Sequence, residues 1–241
     1  MKNHQTNLFF YPTLIIVALI IGLSFKNTLG HLNRADVTGS AKRDFVSDII
    51  VWSSTFSTKK MILSKAYKKL DKDRQLITNY LVENNIPIDD AIFSSITISK
   101  QYDYKTDSDG IRYEEFSGYL LKQNLKIESN AVIEIEALSR DITTLIDSGV
   151  EIQSKSPYYF YSKLADLKID MIAEATKDAS ERAMQIADHA NSSLGDLIWA
   201  KMGVFQITAK NSTEGYSWGG TYNKTSKHKT ATVTMRLAYG L

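Results

Sequence analysis

The side chains able to do chemistry are few in this chain and lie far apart. Its 241 residues hold no cysteine and four histidines, which removes disulfides, thiolate metal sites and cysteine nucleophiles. His4, His31, His189 and His228 fall into no H-x-x-x-H or H-E-x-x-H spacing, so no two of them share a helix face as zinc ligands. His4 and His31 flank an apolar run, His189 closes a helical stretch where an imidazolium complements the dipole, and His228 lies in a basic loop. No nucleophile elbow, Walker loop or dinucleotide fingerprint occurs. Gly215-Tyr216-Ser217-Trp218-Gly219-Gly220 has the glycines of a phosphate loop but not the flanking strand and helix that would aim its amides. Asp103, Asp107 and Asp109 surround the turn KTDSDG at residues 105–110. The closing bidentate Glu of a calcium loop is missing, so they read as a solvated turn. No catalytic residue, metal ligand or cofactor site is assigned, and the chain is expected not to be an enzyme. A hydrolase with a nonstandard Ser/Asp/Lys cluster is the reading this leaves open.

What remains is binding. Tyr158, Tyr159, Phe160 and Tyr161 run consecutively, and Tyr216 and Trp218 sit in a Ser/Gly-rich segment. The first four are able to stack on a sugar or a base, and Tyr158, Tyr159, Tyr161, Tyr216 and Trp218 are the candidate interaction surface. Consecutive aromatics in a strand face both sides of a sheet, which equally suits a buried strand or a subunit contact. Lys59, Lys60, Lys65, Lys68, Lys69 and Lys72 are interleaved with Asp71 and Asp73 and read as a solvated helix face. Lys plus Arg exceeds Asp plus Glu by 29 to 27, so no nucleic-acid partner is implied. The sequons at Asn191, Asn211 and Asn223 lie in polar loops, where such triplets arise without glycosylation.

The elements that must carry these residues follow from hydrophobic period. Residues 35–42 and 48–56 alternate as strands, the second with Ile50, Trp52, Ser54 and Phe56 on one face. From residue 60 to 84 the period lengthens to that of a helix, with Leu63, Ala66, Tyr67, Leu70, Ile77 and Leu81 in one stripe and Lys65, Lys68, Lys69, Lys72 and Asp73 opposite. Residues 92–104 and 113–127 form a long hairpin around the 105–110 turn. A second helix covers residues 132–146, and a tyrosine-rich strand with Pro157 covers 151–161. A third helix spans 169–190 with Ala175, Ala179, Ala183 and Ala187 along one side, a stripe that lets it sit close on a sheet. Strands at 197–208 and 230–239 enclose a polar loop at 209–229. The order β-β-α-β-β-α-β-α-β-β predicts an α+β fold with mostly antiparallel sheets and about three packed helices.

Residues 8–25 (LFFYPTLIIVALIIGLSF) carry no charge. As a helix they span about 27 Å, close to the ~30 Å hydrocarbon core of a bilayer. A retained single-pass anchor is expected, with a cleaved signal peptide as its rival. The organisation expected is a tail at 1–7, a transmembrane anchor at 8–25, a linker at 26–34 and one α+β domain at 35–241.

Several short stretches, in order, resemble the SIMPL-domain proteins, which include bacterial periplasmic and outer-membrane-associated immunogenic proteins. They are Val37-Thr38-Gly39-Ser40-Ala41, Asn85-Ile86 with Asp89, Ile92 and Tyr102, Gly118-Tyr119, and the alanine-striped helix from Met171 to Ala187. Leu194-Gly195, Gly203-Val204-Phe205-Gln206-Ile207-Thr208 and the terminal strand of residues 229–239 complete the set. Asn85 stands where glycine often precedes the isoleucine, and the 209–229 loop is unusually polar. The resemblance implies a membrane-anchored subgroup in the inner membrane with its large domain in the periplasm. It also implies an envelope protein without an established active site, forming ring- or barrel-like homo-oligomers and loosely linked with stress tolerance. The partners expected are the lipid bilayer, through residues 8–25, and further copies of the chain. The alternative is a ligand- or polymer-binding adaptor of the cell envelope.

Overall fold

The computed structural model describes residues 12–21 and 34–241. Residues 12–21 form a helix, α1, with every side chain exposed. Ten residues make about 15 Å, and among the described residues no helix is long and apolar enough to cross a membrane. The rest of the expected anchor (8–11 and 22–25), the tail at 1–7 and linker residues 26–33 lie outside the described residues.

From residue 34 onward the chain builds two sheets, each with helices on one face and an open polar face on the other. The first is organised around β11 (His228–Gly240). It pairs antiparallel with β1 (Arg34–Val46) from Arg34 opposite Gly240 to Val46 opposite His228. On its other flank lie β8 (Leu197–Met202) and β9 (Gln206–Ala209), both antiparallel to β11. A two-residue strand, β10 (Thr221–Tyr222), joins β9 in parallel. The strand expected over 197–208 is thus two strands, because Gly203, Val204 and Phe205 step out of the ladder between them. The polar 209–229 loop contains β10.

α4 (Leu164–His189) lies across β1 and β11. It begins five residues before the position predicted from its apolar stripe. Leu167, Met171, Ala175, Ala179 and Ala183 pack on Val37, Ala41, Val233 and Leu237 in one core. The alanine stripe allows a very close approach: a Cβ built on Gly39 of β1 would lie 2.3 Å from the Ala175 carbonyl oxygen and from the Ala179 nitrogen.

The second sheet runs β3 (Ala91–Phe93), β5 (Arg112–Ser129), β2 (Ile49–Lys60), β6 (Glu151–Ser154), with β4 (Thr97–Thr106) also on β5 and β7 (Tyr158–Phe160) also on β2. The tyrosine-rich strand is therefore broken into β6 and β7 on either side of Pro157, which has no N–H to give the ladder. α2 (Leu63–Glu83) and α3 (Val132–Asp141), followed by a 3-10 turn at Ile142–Ile146, cover one face. Ile50, Trp52, Phe56, Leu70, Ile77, Leu81, Leu121, Leu125 and Ile135 are fully buried there. The alternation read from residues 50–56 is the buried face of β2. The indole Nε1 of Trp52 donates to Ser154 Oγ at 3.0 Å, and Ser154 Oγ donates to the Ser139 carbonyl at 2.5 Å.

Two details correct or explain the sequence reading. Asp73, expected among the exposed lysines of α2, is buried and ion-paired with Lys69, which also donates to the Gly149 carbonyl at 2.8 Å. The carboxylate can turn inward because the lysine one turn earlier follows it. Asn85 has φ 58°, and it follows the last turn of α2. Its N–H reaches the Val82 carbonyl and that of Ile86 reaches the Leu81 carbonyl, at 3.0 and 2.9 Å. This is a helix stop that needs a left-handed residue, which glycine or asparagine supplies most cheaply. Asn191, the first asparagine of a sequon, ends α4 in the same way, at φ 51°.

Overall the fold is α+β, with four α-helices among the described residues and sheets that are antiparallel except for β9–β10.

Candidate functional site

The five aromatic residues singled out in the sequence separate into two groups. Tyr159 is buried in the core of the second sheet, and its hydroxyl donates to Glu136 at 3.2 Å. Tyr161 stacks on Phe45 with ring centroids 4.9 Å apart and packs against the core beneath α4. Tyr158 is half-exposed on β7. This segment joins the two sheets and cannot as a unit be a docking surface.

Its neighbours form a polar junction where β1 passes into β2. Lys229 of β11 is fully buried, with its ammonium donating to Ser47 Oγ at 3.1 Å and to the Tyr159 carbonyl. It also lies 5.6 Å from the centroid of the Tyr222 ring. No ion pair engages it among the described residues, so burial lowers its pKa to about 8. Burial, reinforced by the Glu136 charge, pushes Tyr159 up to about 12. Glu136 is held below the usual carboxylate range, first by its hydrogen bond with Lys227 at 2.6 Å. Lys229 and Tyr159 form the buried centre of this junction, which ties the sheets together, and Glu136 and Lys227 lie at its partly exposed rim.

Tyr216 and Trp218 lie elsewhere, over the open face of the first sheet. Strand alternation puts Val233, Met235 and Leu237 of β11 under α4, so Thr232, Thr234 and Arg236 point the other way. With Lys201 of β8, Gln206 of β9, Tyr216 and Trp218, they line a groove of about 490 Å³, within the usual ~300–1,000 Å³ range of small-molecule sites. Trp218 is 100% exposed and Tyr216 is 68% exposed.

The loop carrying them is held from below. Gln206 grips Ser217 with both ends of its amide, Nε2 donating to the carbonyl at 2.7 Å and Oε1 accepting the N–H at 3.2 Å. Glu214 accepts the Ala209 N–H at 3.0 Å and a hydrogen bond from the Asn223 side chain. Gly220, at φ 92°, ends the loop where a Cβ would stand 2.8 Å from the Phe205 carbonyl oxygen. Replacing Gln206 with leucine is expected to orphan the Ser217 amide and cost about 1–3 kcal/mol. Urea denaturation checks the cost, and steady-state anisotropy of the tryptophans should fall as the loop loosens.

Neither a carboxylate nor an imidazole lines the groove. Its hydroxyls, amide, cations and aromatic faces can hold a ligand, but they supply no proton acceptor of ordinary basicity for general-base chemistry. Among the described residues no group of three or more His, Cys, Asp or Glu is placed to hold a metal ion. The acidic hairpin turn is a local motif in which Asp107 Oδ1 accepts the N–H groups of Asp109 and Ile111 at 3.0 and 2.8 Å.

Sequence reasoning missed Lys201, Gln206, Thr232, Thr234 and Arg236. The alternation of residues 230–239 held the signal for the β11 members, since whatever does not face the helix must face the loop.

The family of this architecture is shown by a direct comparison. The SIMPL family model, described as a protein of unknown function, matches residues 35–237. The chain belongs to the SIMPL family. The match runs from β1 to β11 and so takes in both sheets and helices α2, α3 and α4. No curated protein matches the chain. Gly39 of the SIMPL opening strand, noted in the sequence, is where the backbone of α4 leaves no room for a side chain on β1.

Proposed function

We propose that this SIMPL-family protein is a non-enzymatic scaffold of the bacterial envelope, held to the inner membrane by residues 8–25, with its large domain in the periplasm and assembling with further copies of itself. The observation that carries this reading is the hairpin of β4 and β5. Beyond a bulge at Gln101/Tyr102, opposite Gly118, the two strands continue for five more pairs, about 17 Å. All residues of 102–106 and 112–115 are exposed. Tyr102, Tyr104, Ile111 and Tyr113 are between 46% and 72% exposed, although a lone two-stranded ribbon gains little stability in water. At its base, Met61, Ile62, Tyr67 and Ile98 leave a second apolar groove open. A ribbon and groove of this kind are economical when another copy covers them. The exposed apolar side chains of α1 fit burial in lipid in the same way.

Light scattering coupled to size-exclusion chromatography of the detergent-solubilised full chain tests the assembly. The expected result is a defined oligomer that dissociates when Tyr104 and Tyr113 are both replaced by serine. Each buried aromatic contributes roughly 1.5–3 kcal/mol, so the pair should weaken association by more than about a hundred-fold. A monomer at tens of micromolar chain would overturn the scaffold reading. Full-length, unprocessed protein recovered without detergent in the soluble fraction would overturn the anchor.

A further inference from the structure

The open face of the first sheet carries a charge arrangement that its own residues leave uncompensated. Arg236 of β11 and Lys201 of β8 are direct cross-strand partners. Like charges facing each other across an antiparallel ladder repel. Neither side chain forms an ion pair or a hydrogen bond among the described residues, and no carboxylate lines the groove they share. Asp36, the acid nearest along β1, is engaged by Arg34 at 2.9 Å. Beside the two cations, the Thr232 and Thr234 hydroxyls face the same cavity, and the anchored loop holds Tyr216 and the fully exposed Trp218 over it. A tryptophan left wholly in water on a loop clamped by a side-chain amide has a face prepared for a flat, weakly apolar surface.

From this we infer that the groove is a binding site for an anionic saccharide, a sugar unit bearing a carboxylate or a phosphate. The negative group sits between Lys201 and Arg236 and relieves their repulsion. The ring lies against Trp218 with its C–H face, while Thr232 and Thr234 exchange hydrogen bonds with its hydroxyls. A groove floored with threonine hydroxyls, with no carboxylate and with its one amide already held by Ser217, suits the hydroxyls of a sugar better than the edge of a nucleobase. The site lies on the sheet face remote from α4 and is independent of the β4–β5 ribbon, so it stands or falls separately from the scaffold reading.

Intrinsic tryptophan fluorescence of the full chain in detergent reads binding directly, because Trp218 alone among the three tryptophans is fully exposed and Trp52 is fully buried. The probes are trigalacturonate and glucose 6-phosphate, which separate carboxylate from phosphate as the source of charge, with neutral maltotriose and inorganic phosphate as comparisons. The expected result is a saturable blue shift with at least one acidic sugar. R236Q, read by fluorescence, and W218A, read by isothermal titration calorimetry because it removes the reporter, should each weaken binding about ten-fold or more, with far-UV circular dichroism unchanged, since both residues are exposed. Added salt should weaken binding further. The inference is overturned if neither acidic sugar binds at millimolar concentration, or if maltotriose binds as well as the acidic sugars. It is also overturned if inorganic phosphate alone matches them, or if both variants bind like the parent.

Discussion

Replacing Gly39 with valine is expected to lower the melting temperature by about 10 °C or more, or to prevent folding outright, the largest effect of any single substitution considered for this chain. A Cβ at this position would stand 2.3 Å from the Ala175 oxygen, 2.3 Å from the Ala179 nitrogen and 2.7 Å from the Ala179 Cβ. Two of these three atoms are helix backbone, so no rotamer change relieves the clash. α4 would have to move away from β1, and the core of Met171, Ala175, Ala179, Val233 and Leu237 would lose contact along its length. Overpacking of this kind costs about 1–3 kcal/mol where side chains can yield and more where backbone must. In a domain of this size each kcal/mol is worth roughly 2–4 °C. Alanine at residue 39 should already be damaging, and adding Ala179→Gly should restore little, because the backbone atoms stay where they are. Gly215→Ala is the control, since a Cβ there meets nothing within 4 Å. Thermal melts by far-UV circular dichroism decide the matter; a Gly39→Val melt within 2 °C of the parent would mean that helix and strand are not packed this closely.

This contact also shows what kind of structural information the sequence carried. The alanines at 175, 179, 183 and 187 recur every four residues, and that spacing alone announces a helix seated tightly on its support. Which strand it sits on was not legible, because strand pairing between residues 34 and 240 is set by long-range closure rather than by local pattern. The position of the last strand and the buried face of β2 were readable for the same reason as the helix: one side of each is in a core, and the side-chain period records it. Where period and burial part company the reading erred. Asp73 lies on the buried side of α2 because Lys69 accompanies it, and a charged residue in a run of lysines gives no sign of that. The split of residues 197–208 into β8 and β9 follows from a departure of three residues from the ladder, too short for any pattern.

The candidate site was half legible. Trp218 and Tyr216 stood out as aromatics in a polar loop, and the structure keeps them exposed. Tyr159 and Tyr161 stood out in the same way but met the opposite fate, because Tyr159 of β7 faces the core of the second sheet and Tyr161, just past that strand, packs against the core beneath α4. Arg236 and Lys201 could not be paired from the sequence: they are 35 residues apart, and only the antiparallel register of β8 and β11 makes them neighbours. Thr232 and Thr234 drew no notice, since threonine in a strand is ordinary until something lies over it.

Lys229 makes the stability of the fold depend strongly on pH. Its pKa in the folded chain, about 8, lies below the ordinary lysine value of ~10.4. Between these values the unfolded chain keeps a proton that the folded chain has released, so stability rises with pH across this window. The slope is at most about 1.4 kcal/mol per pH unit, for a total of roughly 3 kcal/mol. Tyr159 acts in the opposite sense at higher pH. Its folded value of about 12 exceeds the ordinary ~10, so the unfolded chain ionises first and stability falls above about pH 10. Tyr222, raised by burial, adds to that fall. Lys229→Met keeps the aliphatic stem in the core and removes the charge. It also strips the Tyr159 carbonyl of its donor, at about 1–2 kcal/mol. The variant should therefore be more stable than the parent by about 1 kcal/mol at pH 7, where the buried charge costs most. It should be less stable at pH 10, where the parent amine is neutral and still donates its hydrogen bonds. Urea denaturation of both proteins at pH 7, 8, 9 and 10 should give stability curves that cross. Other lysines titrate alike in both proteins and cancel in the difference. Parallel curves across that range would mean that Lys229 titrates as an exposed lysine does, and that water reaches the junction of the two sheets.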